Sequence, residues 1–136
     1  MRTLTGRCHC GAVAYTINGE VETMVNCHCN MCRAMNGAAF SSYAIVSRAG
    51  FSITQGQEVL GRYAVTDTGI KHYCIRCGSP LFNTNIEKYG DHAMLYLGTL
   101  RNPGQLPNPI NIFHEDRLAW TDAVAGLTSF PRLPRR

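Results

Sequence analysis

Seven cysteines fall into three tight groups: Cys8 and Cys10 in GRCHCGAV, Cys27, Cys29 and Cys32 in CHCNMCR, and Cys74 and Cys77 in YCIRCGSP. Thiols spaced this closely serve either redox exchange or metal binding, and an odd number cannot be closed into disulfides. In an extended C-x-C segment, side chains two positions apart point the same way. Cys8 and Cys10 can therefore reach one ion together, and so can Cys27 and Cys29. Cys32 follows Cys29, and Cys77 follows Cys74, at the C-x2-C spacing of a tight turn. Gly78 stands where such a turn calls for positive φ. An all-sulfur donor set favours zinc over magnesium or calcium.

Two divisions use all seven thiols: the two pairs join and leave the trio to itself, or one pair is lent to the trio's metal. The first is preferred. Cys8, Cys10, Cys74 and Cys77 would then close a structural four-thiolate site that pins the N-terminal strand to a distant hairpin. Cys27, Cys29 and Cys32 would hold a second zinc with one position open to an outside ligand, which is the arrangement of a catalytic site. By the same alternation His9 and His28 face away from their neighbours' metal, whereas His114 in NIFHED is the histidine expected to line the site and pass a proton. Arg33, beside the trio, is the expected clamp for a substrate carboxylate, ahead of Arg62, Lys71, Arg76 and Arg101. Gly37 and Phe40 are expected to shape the pocket wall. The alternative is that both zinc sites are structural, in a non-catalytic module that binds protein or nucleic acid. A zinc nucleobase deaminase is a weak third reading, because none of the five histidines has a glutamate two positions on.

The elements that must position these thiols read as mainly β. AVAYTI (12–17) places Val13, Tyr15 and Ile17 on one face, and FSSYAIVS, FSITQG, VLGRYAV, IKHYC, PLFNTNI and AMLYLGTL follow as short runs between glycines. One helical turn is expected in NMCRAMNGA, capped by Asn30 and ended by Gly37. RNPGQLPNPIN reads as loop, IFHEDRLAWTD as strand or extended chain, and Trp120 as a core or lid residue. The 136 residues suit a single domain, with its core at about 6–126 and a flexible tail at 127–136. The formal charge is +4, but two zinc ions add four charges and seven thiolates remove seven, leaving +1. Nucleic acid is therefore not expected as a partner. No apolar run suggests a leader or a membrane span, and reduced clustered thiols point to the cytoplasm.

Taken together, GRCHCGAVAY, CHCNMCRAMNGAAFS, YCIRCGSPLF, LGTL and LAWTDAV resemble the glutathione-dependent formaldehyde-activating enzyme family, which embraces centromere protein V. The resemblance implies a β-tent of small antiparallel sheets. It also implies a structural zinc at Cys8, Cys10, Cys74 and Cys77 and a catalytic zinc at Cys27, Cys29 and Cys32. The implied activity is a carbon–sulfur lyase type of reaction that joins glutathione, or a related thiol, to formaldehyde or another small aldehyde. Ala119-Trp120 departs from the commoner proline-tryptophan of that family.

Overall fold

A computed structural model describes residues 3–104 and 106–134. Strands β1 (Thr3–Arg7), β2 (Ala14–Asn18) and β5 (Phe51–Gln55) form a three-stranded antiparallel sheet in the order β1-β2-β5. Seven others make the second sheet: β3 (Thr23–Cys27), β4 (Ser41–Ser47), β6 (Leu60–Ala64), β7 (Gly69–Cys74), β8 (Pro80–Asn85), β9 (His92–Tyr96) and β10 (Ile110–Ile112). Their order is β10-β3-β4-β9-β8-β7-β6, and every pair is antiparallel except β10 with β3, where Ile112 lies opposite Cys27. Among the described residues the one α-helix, α1, spans Asn30–Asn36. The mainly β class with a single short helix is as expected.

Period-two burial drives both sheets. In β2, Tyr15 and Ile17 are buried as the alternation foretells; in β1, Leu4 and Gly6 are buried between exposed threonines. These faces pack against Met24, Ala44, Val46, Phe82, Ala93 and Leu95 of the larger sheet to make the main core, which also encloses Cys8 and Cys74. A smaller cluster on the opposite face of the large sheet gathers Val25, Cys27, Cys32, Tyr43 and Tyr96. The four-cysteine group thus sits at the edge of the core between the sheets, with Cys8 and Cys74 buried in it and Cys10 exposed, and the trio belongs to the outer face.

The structure differs from the sequence reading at several elements. α1 is capped by Cys29 rather than Asn30: the Cys29 thiol accepts a hydrogen bond from the Cys32 amide. Sulfur replaces the usual oxygen cap because the same residue must face the trio. Of IFHEDRLAWTD, only Ile110–Ile112 lies in a strand; 3-10 turns follow at His114–Asp116 and Ala119–Gly126. Trp120 is half exposed on the second of these, not a core residue. Residues 127–134 form no helix or strand and are exposed, and positions 135 and 136 of the expected tail lie outside the described residues. The ranges of β1 and β3 are not picked out in sequence: TLTGR has one large apolar residue, Leu4, and in TMVNC the adjacent buried Met24 and Val25 break the alternation. Among the described residues no helix is long and apolar enough to cross a membrane.

Candidate metal centres

The first cysteine group is assembled by two glycine-closed turns, one closed by the amide three residues on and the other by the amide four residues on. After β1, Cys8 opens a turn in which the Gly11 amide returns to the Cys8 carbonyl (3.1 Å); after β7, the Gly78 amide returns to the Cys74 carbonyl (2.8 Å). Gly11 and Gly78 both take left-handed backbone, with φ of 81° and 77°, where an L side chain would be strained. The turns bring Cys8 Sγ within 3.6 Å of Cys10 Sγ, and Cys10 Sγ within 3.7 Å of Cys74 Sγ. All four sulfurs, Cys77 included, lie within 4.8 Å of one another. A tetrahedron with zinc–sulfur bonds of about 2.3 Å has edges of about 3.8 Å, so the spacing suits a zinc ion and is far too long for disulfides.

The trio is built by β3 and α1. Cys27 ends β3, Cys29 caps α1 and Cys32 sits in its first turn. Cys27 Sγ and Cys29 Sγ are 3.5 Å apart, and the three sulfurs again lie within 4.8 Å of one another. Among the described residues no histidine, aspartate, glutamate or fourth cysteine completes this group. The division into four and three thiols is therefore the one the fold produces. The donor sets fit zinc at both places.

A hydrogen-bonded chain reaches Cys32 from the sheet behind it. Tyr96 donates to Asn83 Oδ1 (3.0 Å), Asn83 Nδ2 donates to the Tyr43 oxygen (3.4 Å), and the Tyr43 hydroxyl lies 3.4 Å from Cys32 Sγ. An ionised Cys32 can only accept, so on the thiolate the Tyr43 hydroxyl is the donor. Burial drives the Tyr43 pKa far upward, with the neighbouring Tyr96 adding to it, so this proton stays in place. A donor on a thiolate withdraws charge from it and tunes the metal it binds. Tyr43→Phe is expected to leave zinc bound but to slow turnover about 10–100-fold, the usual cost of losing an outer partner. Parallel metal analysis and steady-state kinetics check this. The sequence marked Tyr43 only as one position in a strand; its register opposite Tyr96 and its reach to Cys32 are tertiary.

The thiols differ in how firmly they hold protons. Burial pushes Cys27 up, and Cys32 further, with the sulfurs of Cys29 and Cys27 adding to the rise at Cys32. Burial would also raise Cys29, but the Cys32 amide and further hydrogen bonds outweigh it and bring that thiol down. In the quartet the Ser79 hydroxyl leads the causes that lower Cys77 to about 5. For Cys8, burial is outweighed by the Val13 amide and the sulfurs of Cys10 and Cys74, and its pKa falls. Cys10 runs the other way, to about 11: the Ala12 amide pulls it down, but desolvation and three neighbouring sulfurs prevail. Zinc must displace these protons, so its affinity falls with falling pH wherever thiol pKa values are raised. On acidification the trio, with one donor fewer and two raised thiols, is expected to release zinc at a higher pH than the quartet. A chromogenic chelator reads this as two separate release steps.

The other expected site residues are distributed around the trio. His28 points away from the sulfurs, as the alternation required; it is buried, bonded through Nε2 to Asn111 Oδ1 (3.0 Å), and packed on Phe40 and His114 with ring centroids 4.9 and 5.3 Å away. His114 is half exposed, and its Nε2 lies 3.8 Å from Asp122 Oδ1. Arg33 spends its guanidinium on Asn30 Oδ1 and on the carbonyls of His28 and Asp116. It thereby ties α1 to the segment after β10. Gly37 ends α1 at φ 59°. Lys71 donates to the Met35 carbonyl and Asn36 Oδ1, holding the other end of the helix.

A cavity of about 550 Å³ opens beside the trio, with Cys27, Cys29 and Cys32 in its wall. His114, Arg33, Gly37 and Phe40 are not among the residues that line it; Met31, Met35, Tyr43, Asn83, Lys88, Tyr89, Met94 and Phe113 are. A run of methionines has no site signature in sequence, because the same spacing also serves ordinary cores.

A family model described as "Glutathione-dependent formaldehyde-activating enzyme" matches residues 3–116. Over 85 residues the chain is 31% identical to a Halomonas elongata protein named "Putative glutathione-dependent formaldehyde-activating enzyme". That alignment covers 58% of this chain and 54% of the relative, so the chain spans about half the length of this curated relative. A crystal structure of a Rhodobacter sphaeroides protein shares the fold, with a TM-score of 0.60 at 22% identity, over 76% of this chain and 97% of that one.

Proposed function

The chain belongs to the glutathione-dependent formaldehyde-activating enzyme family, and from that premise we propose that it is a zinc-dependent enzyme of the carbon–sulfur lyase type. It joins a thiol such as glutathione to a small aldehyde and runs the reverse reaction. One observation carries the reading: three sulfurs stand in zinc geometry with no fourth protein donor among the described residues, at the wall of a cavity large enough for a substrate.

The reaction is an addition without redox change. A sulfur–carbon bond forms, the carbonyl π bond opens onto oxygen, and the proton lost by the thiol ends on that oxygen. Zinc held by Cys27, Cys29 and Cys32 would supply Lewis acidity and favour the ionised form of an incoming thiol. The protein's part is placement. β3 and α1 hold the trio rigidly, the Tyr43 hydroxyl draws charge from Cys32, and the cavity walls keep the reacting groups together, where proximity contributes most. Lys88, in the cavity lining, is the cation available to a substrate carboxylate. Arg33, expected from sequence as the clamp, instead ties α1 to the segment after β10, and His114, expected as the proton donor, packs on the His28 ring and does not line the cavity.

The test is the exchange of glutathione with formaldehyde, followed by two-dimensional NMR on zinc-replete protein. Acceleration over the uncatalysed exchange that disappears with a chelator and returns with zinc supports the reading. No acceleration in zinc-replete protein, with formaldehyde or any larger aldehyde, overturns it.

A further inference from the structure

The cavity beside the trio is chemically lopsided. Its lining joins the apolar Met31, Met35, Met94, Ile112 and Phe113 to the neutral polar Asn30, Asn83, Asn85, Thr66 and Thr84, with one cation, Lys88, and one anion, Asp116, among the described residues. Formaldehyde has two heavy atoms and no apolar group. Even at twice the ~30 Å³ that a water occupies, it would leave nearly all of about 550 Å³ unused. Glutathione brings two carboxylates and an ammonium, which the polar side chains and Lys88 can meet but the methionine-rich part of the wall cannot solvate. Those termini belong at the mouth, beside Lys88 and the solvent. The methionine-rich part of the wall lacks an occupant of matching chemistry.

Phe113 gives a second, independent indication. It is the one non-glycine residue among those described with positive φ, at φ 51° and ψ 40°. That conformation costs an L residue roughly 1–2 kcal/mol, and Phe113 gains little burial in return, since it remains 60% exposed. Met31, across the same cavity, is 50% exposed. Two large apolar side chains are thus held at a wet rim, one of them against backbone preference. Such strain persists where it positions a group for use. Methionine walls also adapt to irregular apolar shapes.

We propose that the aldehyde handled here carries an apolar chain or ring, so that the adduct is RS–CH(OH)–R′ with R′ seated among Met35, Met94 and Phe113. The inference rests on the thiol–aldehyde reading above and specifies its carbonyl partner. The addition balances as before: one S–C bond forms, the carbonyl π bond opens, and the thiol proton moves to oxygen. Apolar area removed from water contributes about 25 cal/mol per Å², which formaldehyde cannot supply.

The experiment measures acceleration over the uncatalysed exchange for heptanal and for formaldehyde, with glutathione and zinc-replete protein. Acceleration at least tenfold greater for heptanal is expected. Phe113→Asn keeps a residue suited to left-handed backbone, and Met94→Gln keeps the side-chain length; each should lower the heptanal-to-formaldehyde ratio at least fivefold. As a readout independent of activity, saturation-transfer NMR should detect 1-heptanol on the unaltered protein and lose it in both variants. Should a variant fold poorly, the unaltered protein decides: absence of a 1-heptanol signal on it overturns the inference. Acceleration with formaldehyde that equals or exceeds that with heptanal overturns the inference and leaves the thiol–aldehyde reading standing. No zinc-dependent acceleration with either aldehyde overturns both.

Discussion

Cys77→Ser is expected to unfold the domain. Cys77 is only partly buried, so the replacement opens no large cavity, and serine keeps the side-chain shape. What it removes is a thiol that ionises readily, its pKa brought to about 5 by Ser79 and neighbouring amides. A serine hydroxyl offers no comparable anion. Structural zinc contributes apparent free energies of about 10–16 kcal/mol in small domains, against total stabilities of about 5–15 kcal/mol. The ion here would clasp residue 8 to residue 77 across about half of the chain, and two of its ligands, Cys8 and Cys74, lie inside the main core. Circular dichroism and zinc content should therefore fail together. A variant that melts like the parent and retains its zinc would show that the quartet is not the clasp.

Cys29→Ser should do the opposite: abolish activity and spare the fold. Cys29 caps α1 by accepting the Cys32 amide at 3.2 Å, and serine is among the best residues at that position. The helix keeps its cap while the metal loses one of three protein ligands. We expect thiol–aldehyde exchange to fall by more than about 100-fold, beyond what loss of an outer-shell partner costs. The melting temperature should shift by no more than a few degrees, the equivalent of about 1 kcal/mol in a domain of this size. If Cys29→Ser and Cys77→Ser behave alike, the two clusters do not divide the work as proposed.

The thiols were legible in sequence because ligand spacing is local. C-x-C and C-x2-C state which sulfurs can share an ion, and alternation correctly turned His28 away from Cys27 and Cys29. The core strands were legible where β-branched and aromatic residues alternate, as in AVAYTI. TMVNC gave no such signal, though it carries Cys27 into place, because its burial depends on which neighbours β4 and β10 supply. Arg33 illustrates the limit on charged residues: proximity in sequence to the trio suggested a substrate clamp, yet the carbonyls that occupy it, at His28 and Asp116, converge only through the return of the chain after β10. The Tyr96–Asn83–Tyr43–Cys32 chain spans four elements and has no local signature. Neither does the cavity, whose walls come from residues nearly ninety positions apart.

The most direct measurement is zinc-edge X-ray absorption on zinc-replete protein before and after glutathione is added. The account predicts that one sulfur per protein is gained at the expense of a lighter ligand, because the trio takes a thiol as its fourth donor while the quartet stays as it was. A sulfur shell already complete before glutathione, or one that glutathione leaves unchanged, would contradict it.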